Sequence, residues 1–276
     1  MKINYIRTYW GSEALSAKEF LATTIAQGYD GVEINFPDDS AFVTEFLSEL
    51  AIIRNTINND FIFIAQQVLE NKSETVEEYI FRMKERLHFL VGLQPNAINS
   101  HTGKDYYAFE TNCTILEITE EIARKTGIPI WHEIHRGRFS FHLKTLLTYT
   151  EKYPDLQLIA DFSHFCVVSE SDLSDQQGLL VELFPKIQHI HARVGFEQSP
   201  QVNNPFAPEW TKYLDQYLTW WKGIIQLKQQ FNHSELSITP EFGPYPYMPQ
   251  MPFSKEPLAN QEQLNLEMKN YLQQHL

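Results

Sequence analysis

The chain is poor in cysteine and has no long apolar run. Cys113 and Cys166 are the only cysteines among 276 residues, too few for a disulfide framework, so we expect two buried free thiols and a reducing compartment. The first residues, MKINYIRTYWGSEALS, contain no apolar signal core. No stretch approaches the roughly 20 apolar residues that a membrane-spanning helix needs. These absences predict a cytoplasmic protein with no membrane partner.

Positive charge is also scarce. Lysine and arginine total 22 against 35 aspartates and glutamates, which gives a net charge of −13. The sequence has no long basic run that would offset this balance locally. Because a nucleic-acid backbone repels an acidic surface, we expect no nucleic-acid partner.

The segment after the first β-rich run, TYWGSEAL, has a single glycine. A doubly wound open sheet usually has a glycine-rich phosphate loop there. Short β-rich runs instead alternate with longer helical patterns, which is typical of parallel strands joined by crossover helices. The predicted strands are 2–7, 31–36, 61–67, 97–101, 129–134, 156–162, 187–194 and 236–242. The predicted helices are 16–28, 39–56, 74–92, 110–126, 141–152, 174–184, 209–231 and 260–274, with Ser16 and Ser73 as N-caps of the first and third.

Eight strands and eight helices in strict order predict one α/β domain over residues 1–276, a single (β/α)8 TIM barrel. The doubly wound open sheet is the alternative. The neighbouring tryptophans 220 and 221 on the seventh predicted helix could contact a second copy in a homo-oligomer or cover the barrel.

Polar residues close the last four predicted strands. Glu133 ends the fifth strand and Asp161 the sixth; His191 and Arg193 end the seventh, and Glu241 ends the eighth. The period of two along a strand places each of these side chains opposite the apolar face that meets the helices. Since active sites of TIM barrels form at the carboxyl ends of the strands, we expect these groups to meet at the barrel mouth.

Three converging carboxylates need a counter-charge, because like charges and burial both oppose ionisation. For any one of these acids alone, a helix cap or a surface ion pair is the more common explanation of its position. Together, Glu133, Asp161, His191 and Glu241 favour one divalent metal ion. Three carboxylates and one imidazole suit manganese or magnesium, and zinc is an alternative.

The order and spacing of six segments resemble the sugar phosphate isomerase/epimerase superfamily, the xylose isomerase-like TIM barrels. These segments are GYDGVEI (28–34), NSHTGKD (99–105), HEIHRGR (132–138), DFSH (161–164), HIHARVG (189–195) and PEFGP (240–244). The resemblance implies a metal site on Glu133, Asp161, His191 and Glu241. It also implies that His164, in the D-x-x-H motif, contacts substrate or a second metal.

The expected activity is that of a metal-dependent isomerase or epimerase of a small sugar, sugar phosphate or sugar acid, acting through an enediolate. Glu133, Glu241 and His164 are the candidates for moving the proton. Further residues are expected to bind substrate: Glu33, His101, His135, Arg136, Arg138 and Arg193. An ion pair between Glu33 and Arg7, and a core position for His101, remain open for those two residues.

One departure from the resemblance affects the chemistry. Ketose 3-epimerases use a second glutamate six residues after the strand 5 ligand, and here that position is Phe139. A metal-dependent hydrolase or lyase is therefore the alternative. The apurinic endonucleases of this fold use a D-x-H element after strand 7, and the stretch ARVGFEQSPQVNNPFAPEW has none, which disfavours a phosphodiesterase. A sugar-binding barrel without catalysis is the third class.

Overall fold

The alternation seen in the sequence becomes eight strands joined in one closed parallel sheet, in the order β1 to β8. The computed structural model describes all residues, Met1–Leu276, and confirms the (β/α)8 TIM barrel. The strands are β1 (Lys2–Thr8), β2 (Gly31–Ile34), β3 (Ile62–Gln67), β4 (Ala97–Ser100), β5 (Ile130–Glu133), β6 (Leu158–Ala160), β7 (Ile187–His191) and β8 (Glu235–Thr239).

Nine α-helices follow these strands. They are α1 (Ala17–Ala26), α2 (Ser40–Thr56), α3 (Val76–Gly92), α4 (Phe109–Thr126), α5 (Leu143–Lys152), α6 (Ser163–Ser169), α7 (Gln177–Leu180), α8 (Thr211–Gln230) and α9 (Gln261–His275). No helix has the length and apolar character required to cross a membrane.

Two helix predictions were wrong in detail. The continuous helix predicted over 174–184 is the short α7 between two 3-10 segments, Ser174–Gln176 and Val181–Lys186. Pro185 lies in the second of these, and its missing N–H and fixed ring oppose a regular α-helix. Helix α6 was not predicted, because it begins only two residues after β6 and within the D-x-x-H motif, at Ser163.

The N-cap of α3 was also misplaced. Thr75, not Ser73, begins the helix: its hydroxyl accepts from the Glu78 amide, and the Glu78 carboxylate accepts from the Thr75 amide. This reciprocal pair requires Glu three residues after the cap, and Ser73 has Val76 at that position. The Ser16 cap of α1 is confirmed and forms the same pair with Glu19, which has the required spacing.

The strands end earlier than predicted. Asp161, Arg193 and Glu241 come after the last paired residues of β6, β7 and β8, whereas Glu133 and His191 are the last residues of their strands. At β6 the chain turns at once into α6, and the Ser163 amide donates to Asp161 Oδ1 at 3.1 Å. The side chains of the candidate site therefore stand at the carboxyl edge of the sheet and just beyond it.

The chain divides into two compact units. One comprises Ile6–Glu133 and Gly137–Ser140, and its core contains a set of perpendicular aromatic rings in which Phe36 meets Phe46 at 5.0 Å and Phe63 at 5.8 Å between ring centres. Such edge-to-face pairs add stability beyond the buried area. The single domain over 1–276 stays a prediction.

The other unit comprises Met1–Tyr5, Ile134–Arg136 and Phe141–Leu276. Trp220 and Trp221 of α8 are buried within it, and the Trp220 ring meets Phe162 at 5.8 Å and Tyr217 at 4.8 Å. The tryptophan pair therefore covers the barrel instead of forming an exposed contact surface.

Both cysteines are buried free thiols, as predicted. Burial raises the pKa of Cys166 to about 12. This thiol is therefore protonated at neutral pH, and it is not a reactive nucleophile.

Gly31 is required where β2 begins. A Cβ atom there would lie 2.3 Å from the Ile62 carbonyl oxygen of the neighbouring strand. We expect Gly31→Ala to lower the free energy of unfolding by about 1–3 kcal/mol, read as a lower melting temperature. Gly178→Ala is the control, because an added Cβ in α7 meets nothing within 4 Å. Equal melting temperatures of Gly31→Ala and the wild type would contradict this packing.

Candidate metal centre and active site

Two carboxylates, one arginine and one histidine form a buried group where β6, β7 and β8 end. The Arg193 guanidinium pairs with Asp161 through Nη2, and its Nη1 lies 3.7 Å from Glu241 Oε2. His191 Nδ1 lies 2.9 Å from the same Glu241 oxygen. All four side chains are buried. Arg193 is therefore a fixed counter-charge to two acids, a role that accounts for its position without substrate.

His164, on α6, is tied to this group. Its Nε2 lies 3.0 Å from Arg193 Nη2 and 3.6 Å from Asp161 Oδ2. Because a guanidinium nitrogen only donates, His164 accepts from Arg193 at Nε2 and that nitrogen carries no proton. The ring of His135 packs on His164 with 3.9 Å between ring centres.

A second polar group lies on β2, β4 and β5. Glu133 Oε2 accepts from the Asn99 amide at 2.8 Å, and His101 Nε2 is 2.8 Å from the same oxygen. The same Asn99 nitrogen donates to Glu33 Oε1 at 2.9 Å, and Gln66 donates to that oxygen at 3.3 Å. One carboxamide thus joins two buried carboxylates.

Arg7 contacts a helix. Its Nη1 donates to the Phe20 carbonyl at 2.9 Å and to the Thr24 hydroxyl. Glu33 accepts from side chains of β3 and β4, and an ion pair between Glu33 and Arg7 stays open. His101 hydrogen-bonds a site carboxylate and is partly exposed, unlike a core histidine.

The four predicted metal ligands are brought together. Glu133 directly precedes Ile134, whose amide donates to the Ile159 carbonyl of β6 at 3.1 Å. One ligand-type atom from each of Glu133, Asp161, His191 and Glu241 lies within 4.8 Å of the others, and all four residues are buried. Buried carboxylates need a compensating cation, and this donor set fits a divalent ion.

The other histidine of H-x-H has a different environment. Both ring nitrogens of His189 are hydrogen-bonded, Nδ1 to the Ser237 hydroxyl at 2.6 Å and Nε2 to the Thr239 hydroxyl at 2.8 Å. Because these contacts engage both ring nitrogens, His189 supports the wall of the barrel beneath His191.

The two arginines predicted on the strand 5 loop lie in different surroundings. The Arg136 guanidinium lies 5.2 Å from the ring centre of Tyr247, which also faces Arg193 at 4.8 Å. Arg138 has no carboxylate partner and instead lies near Lys104 and Tyr79. Tyr247 was not identified as a site residue, although the aromatic and proline-rich stretch that contains it, 244–253, predicts a loop at the barrel mouth.

Phe139 is packed into the protein. It is 1% exposed, and its ring meets the edge of His132 at 5.7 Å between centres. The residue six positions after Glu133 is therefore a hydrophobic anchor, with no acid–base capacity.

The role of the Asn99 amide between Glu33 and Glu133 can be tested by converting the amide to a carboxylate. In chelator-treated protein, Asn99→Asp places a charge beside Glu33 and Glu133, and both burial and like charges raise the pKa of the new carboxyl. We expect a loss of about 3–5 kcal/mol at pH 8, measured by thermal unfolding. The loss relative to wild type shrinks toward pH 5, because the protonated group no longer repels its neighbours.

Asn260→Asp is the matched control for this substitution. Asn260 is exposed and only accepts, from the Gln263 amide at the start of α9, and aspartate caps a helix equally well. An equal effect of the two substitutions, or a pH-independent loss for Asn99→Asp, would show that Asn99 does not separate two ionised groups.

No family model matches the sequence, and no curated protein sequence matches it. Solved structures do match it. A D-tagatose 3-epimerase-like protein is 12% identical, with a TM-score of 0.66 over 99% of this chain and 96% of that chain. The probable 3-DHS dehydratase AsbF from Bacillus anthracis is 17% identical, with a TM-score of 0.61 over 97% and 98%. The IolI protein with a bound zinc atom is 16% identical, with a TM-score of 0.65 over 99% of each chain. At these identities the likeness is one of fold, and the chain has the fold of the xylose isomerase-like TIM barrels.

Proposed function

We propose that this protein is a metal-dependent isomerase or epimerase of a small sugar, sugar phosphate or sugar acid. The observation that carries the proposal is the buried convergence of Glu133, Asp161, His191 and Glu241. Solved structures with the same fold include an epimerase-like protein and a zinc-bound protein, which supports both the reaction class and the divalent ion.

The charges of the site support a resident cation. Asp161 and Glu241 share the single positive charge of Arg193, and Glu133 is contacted by a neutral amide and an imidazole. Three buried carboxylates with one guanidinium among their partners favour a further positive charge. A divalent ion would supply it, held by Glu133, Asp161, His191 and Glu241.

The chain supplies the groups that bind and move a proton. When bound, a divalent ion would act as a Lewis acid toward neighbouring oxygens of a hydroxy-carbonyl substrate, in which loss of a carbon-bound proton gives an enediolate. Glu133 and Glu241 are the candidates for taking and returning that proton. His101 Nε2, 2.8 Å from Glu133 Oε2, can exchange a proton with this carboxylate.

His164 has a holding role in this scheme. Because its Nε2 accepts from Arg193, this nitrogen is engaged and is not the group that takes the substrate proton. His164 instead fixes the Arg193 guanidinium against Asp161. The ring of Tyr247, which faces both Arg193 and Arg136, would cover a bound substrate from the side of the 244–253 loop.

A lyase is the second candidate, and the packing of Phe139 favours it. A reaction that inverts a carbon centre through two bases needs a second acid–base group, and Phe139 provides none at the position where ketose 3-epimerases have it. Elimination of water needs one base beside the Lewis acid. The fold likeness to a dehydratase is consistent with this reaction.

The first test concerns the metal and Glu241. We expect purified protein to bind one divalent ion per chain, measured by elemental analysis after dialysis. We expect Glu241→Gln to lose that ion and to reduce turnover on a panel of ketoses, sugar phosphates and sugar acids by about 10²–10⁴-fold. Glu209→Gln, at an exposed position, is the control. Full turnover by Glu241→Gln would overturn the proposal.

The reaction class can be separated from metal binding in heavy water. An isomerase or epimerase that acts through an enediolate incorporates deuterium at carbon into the recovered sugar, which NMR detects. A lyase releases an unsaturated product that absorbs in the ultraviolet. A protein that binds metal and sugars, gives neither signal and hydrolyses no compound of the panel is a binding protein and not an enzyme.

A further inference from the structure

Two cations are buried on the loops after β4 and β5, and a backbone hydrogen bond from Phe139 to Thr102 joins these two loops. Lys104 is 4% exposed and Arg138 is 8% exposed, and no carboxylate lies within ion-pair distance of either. Lys104 Nζ donates to Asn71 Oδ1 at 2.7 Å. Arg138 Nη1 makes one long contact of 3.5 Å with the Gly137 carbonyl, and its buried Nε has no hydrogen-bond partner.

This arrangement is unfavourable without an anion. A buried charge recovers its lost hydration only through a counter-ion and a full set of hydrogen bonds. Burial lowers the pKa of Lys104, and the neighbouring Arg138 guanidinium lowers it further. Glu74 and Asp105 oppose this effect and raise the pKa of Lys104, but neither lies within ion-pair distance, and Glu74 Oε2 is paired with Arg82 at 2.5 Å. The two cations therefore lack a carboxylate in direct contact.

The backbone beneath Lys104 is fixed by its neighbours. The buried side chain of Asn112 accepts from the Lys104 amide at 3.2 Å and donates to the Lys104 carbonyl at 2.8 Å. Gly103 has φ +63°, and a Cβ there would lie 2.2 Å from Asn112 Oδ1. The Phe139 amide donates to the Thr102 carbonyl at 3.2 Å, which ties the loop of Arg138 to the loop of Lys104. The pair is thus held rigidly in place.

The same loop reaches the candidate active site. His101, three residues before Lys104, contacts Glu133. The Tyr79 hydroxyl donates to the carbonyls of His101 and Gly103 at 3.4 and 3.5 Å, and the Tyr79 ring lies 5.6 Å from Lys104 Nζ. One stiff segment therefore carries both a group that contacts a proposed metal ligand and a buried cation.

We propose that Lys104 and Arg138 form an oxyanion-binding site that takes the phosphate group of a sugar phosphate. Two cations match the charge of a phosphate monoester, and a guanidinium binds its oxygens with two parallel hydrogen bonds. Its assignment to the substrate rests on the proposed function and narrows the substrate class to phosphorylated sugars. Inorganic phosphate has the same chemistry, so the test must separate the two sources.

Binding is measured first, on chelator-treated protein, so that the result does not depend on metal or turnover. We expect the melting temperature to rise saturably with inorganic phosphate at constant ionic strength, with chloride as the reference salt. Lys104→Met should weaken phosphate binding by about tenfold or more. The same variant should melt higher than wild type in phosphate-free buffer, because an uncompensated buried charge is gone.

Arg138→Met provides a second, independent variant, with the same expected loss of phosphate affinity. Lys125→Met is the control, since Lys125 is an exposed lysine of α4 paired with Glu121. The site is refuted if phosphate raises the wild-type melting temperature no more than chloride does. It is also refuted if Lys104→Met binds phosphate as well as wild type, or melts lower than wild type in phosphate-free buffer.

Turnover measured after the metal is restored then distinguishes a site for the phosphate group of the substrate from a site for inorganic phosphate. If the site binds the substrate, Lys104→Met lowers the ratio of kcat/KM for a sugar phosphate to that for the same unphosphorylated sugar by about tenfold, and inorganic phosphate competes with the sugar phosphate. If phosphate binds without competing, the assignment to substrate is wrong. Failure of the metal proposal is visible separately, because Glu241→Gln would then keep both turnover and phosphate binding.

Discussion

The mutual repulsion of three carboxylates, buried where β5, β6 and β8 end, is the constraint on which the rest of this site depends. Glu133, Asp161 and Glu241 are each at most 4% exposed, so water cannot screen them. Arg193 compensates part of this charge through direct contact with two of them, and Asn99 donates to the third. In our proposal a divalent cation would complete the balance, and it would also stabilise negative charge that develops in a substrate.

The strand period of two determines whether each polar side chain points to the interior of the barrel or to the helices. Toward the interior, His191 lies in the candidate site, and His189, two residues earlier, is fixed by hydroxyls from β8. Toward the helices, His132, which precedes Glu133, bonds the Thr102 hydroxyl at 2.7 Å. His191 and Glu133 are therefore each close in sequence to a histidine of the same strand that hydrogen bonds hold in place. Such support holds reacting groups in place without relying on mobile loops.

The fold could be predicted, and the candidate ligands could be chosen, because both depend on periodicity. Alternating β-rich and helical patterns gave the barrel, and the last polar residue of each late strand gave Glu133, Asp161, His191 and Glu241. The rest depends on contacts across the chain. From the sequence alone, Lys104 would be expected at the surface. Nothing in the sequence indicates that Asn99 joins two acids. Helix α6 escaped prediction because seven residues are too few for a helical period to show.

The central claim is that four side chains, far apart in sequence, hold one cation. A crystal structure of the protein grown with zinc, with anomalous data at the zinc edge, tests it directly. The account predicts one anomalous peak bonded to an oxygen of Glu133, Asp161 and Glu241 and to a nitrogen of His191, at about 2.0–2.2 Å. Well-ordered side chains in these positions with no anomalous peak among them would contradict it.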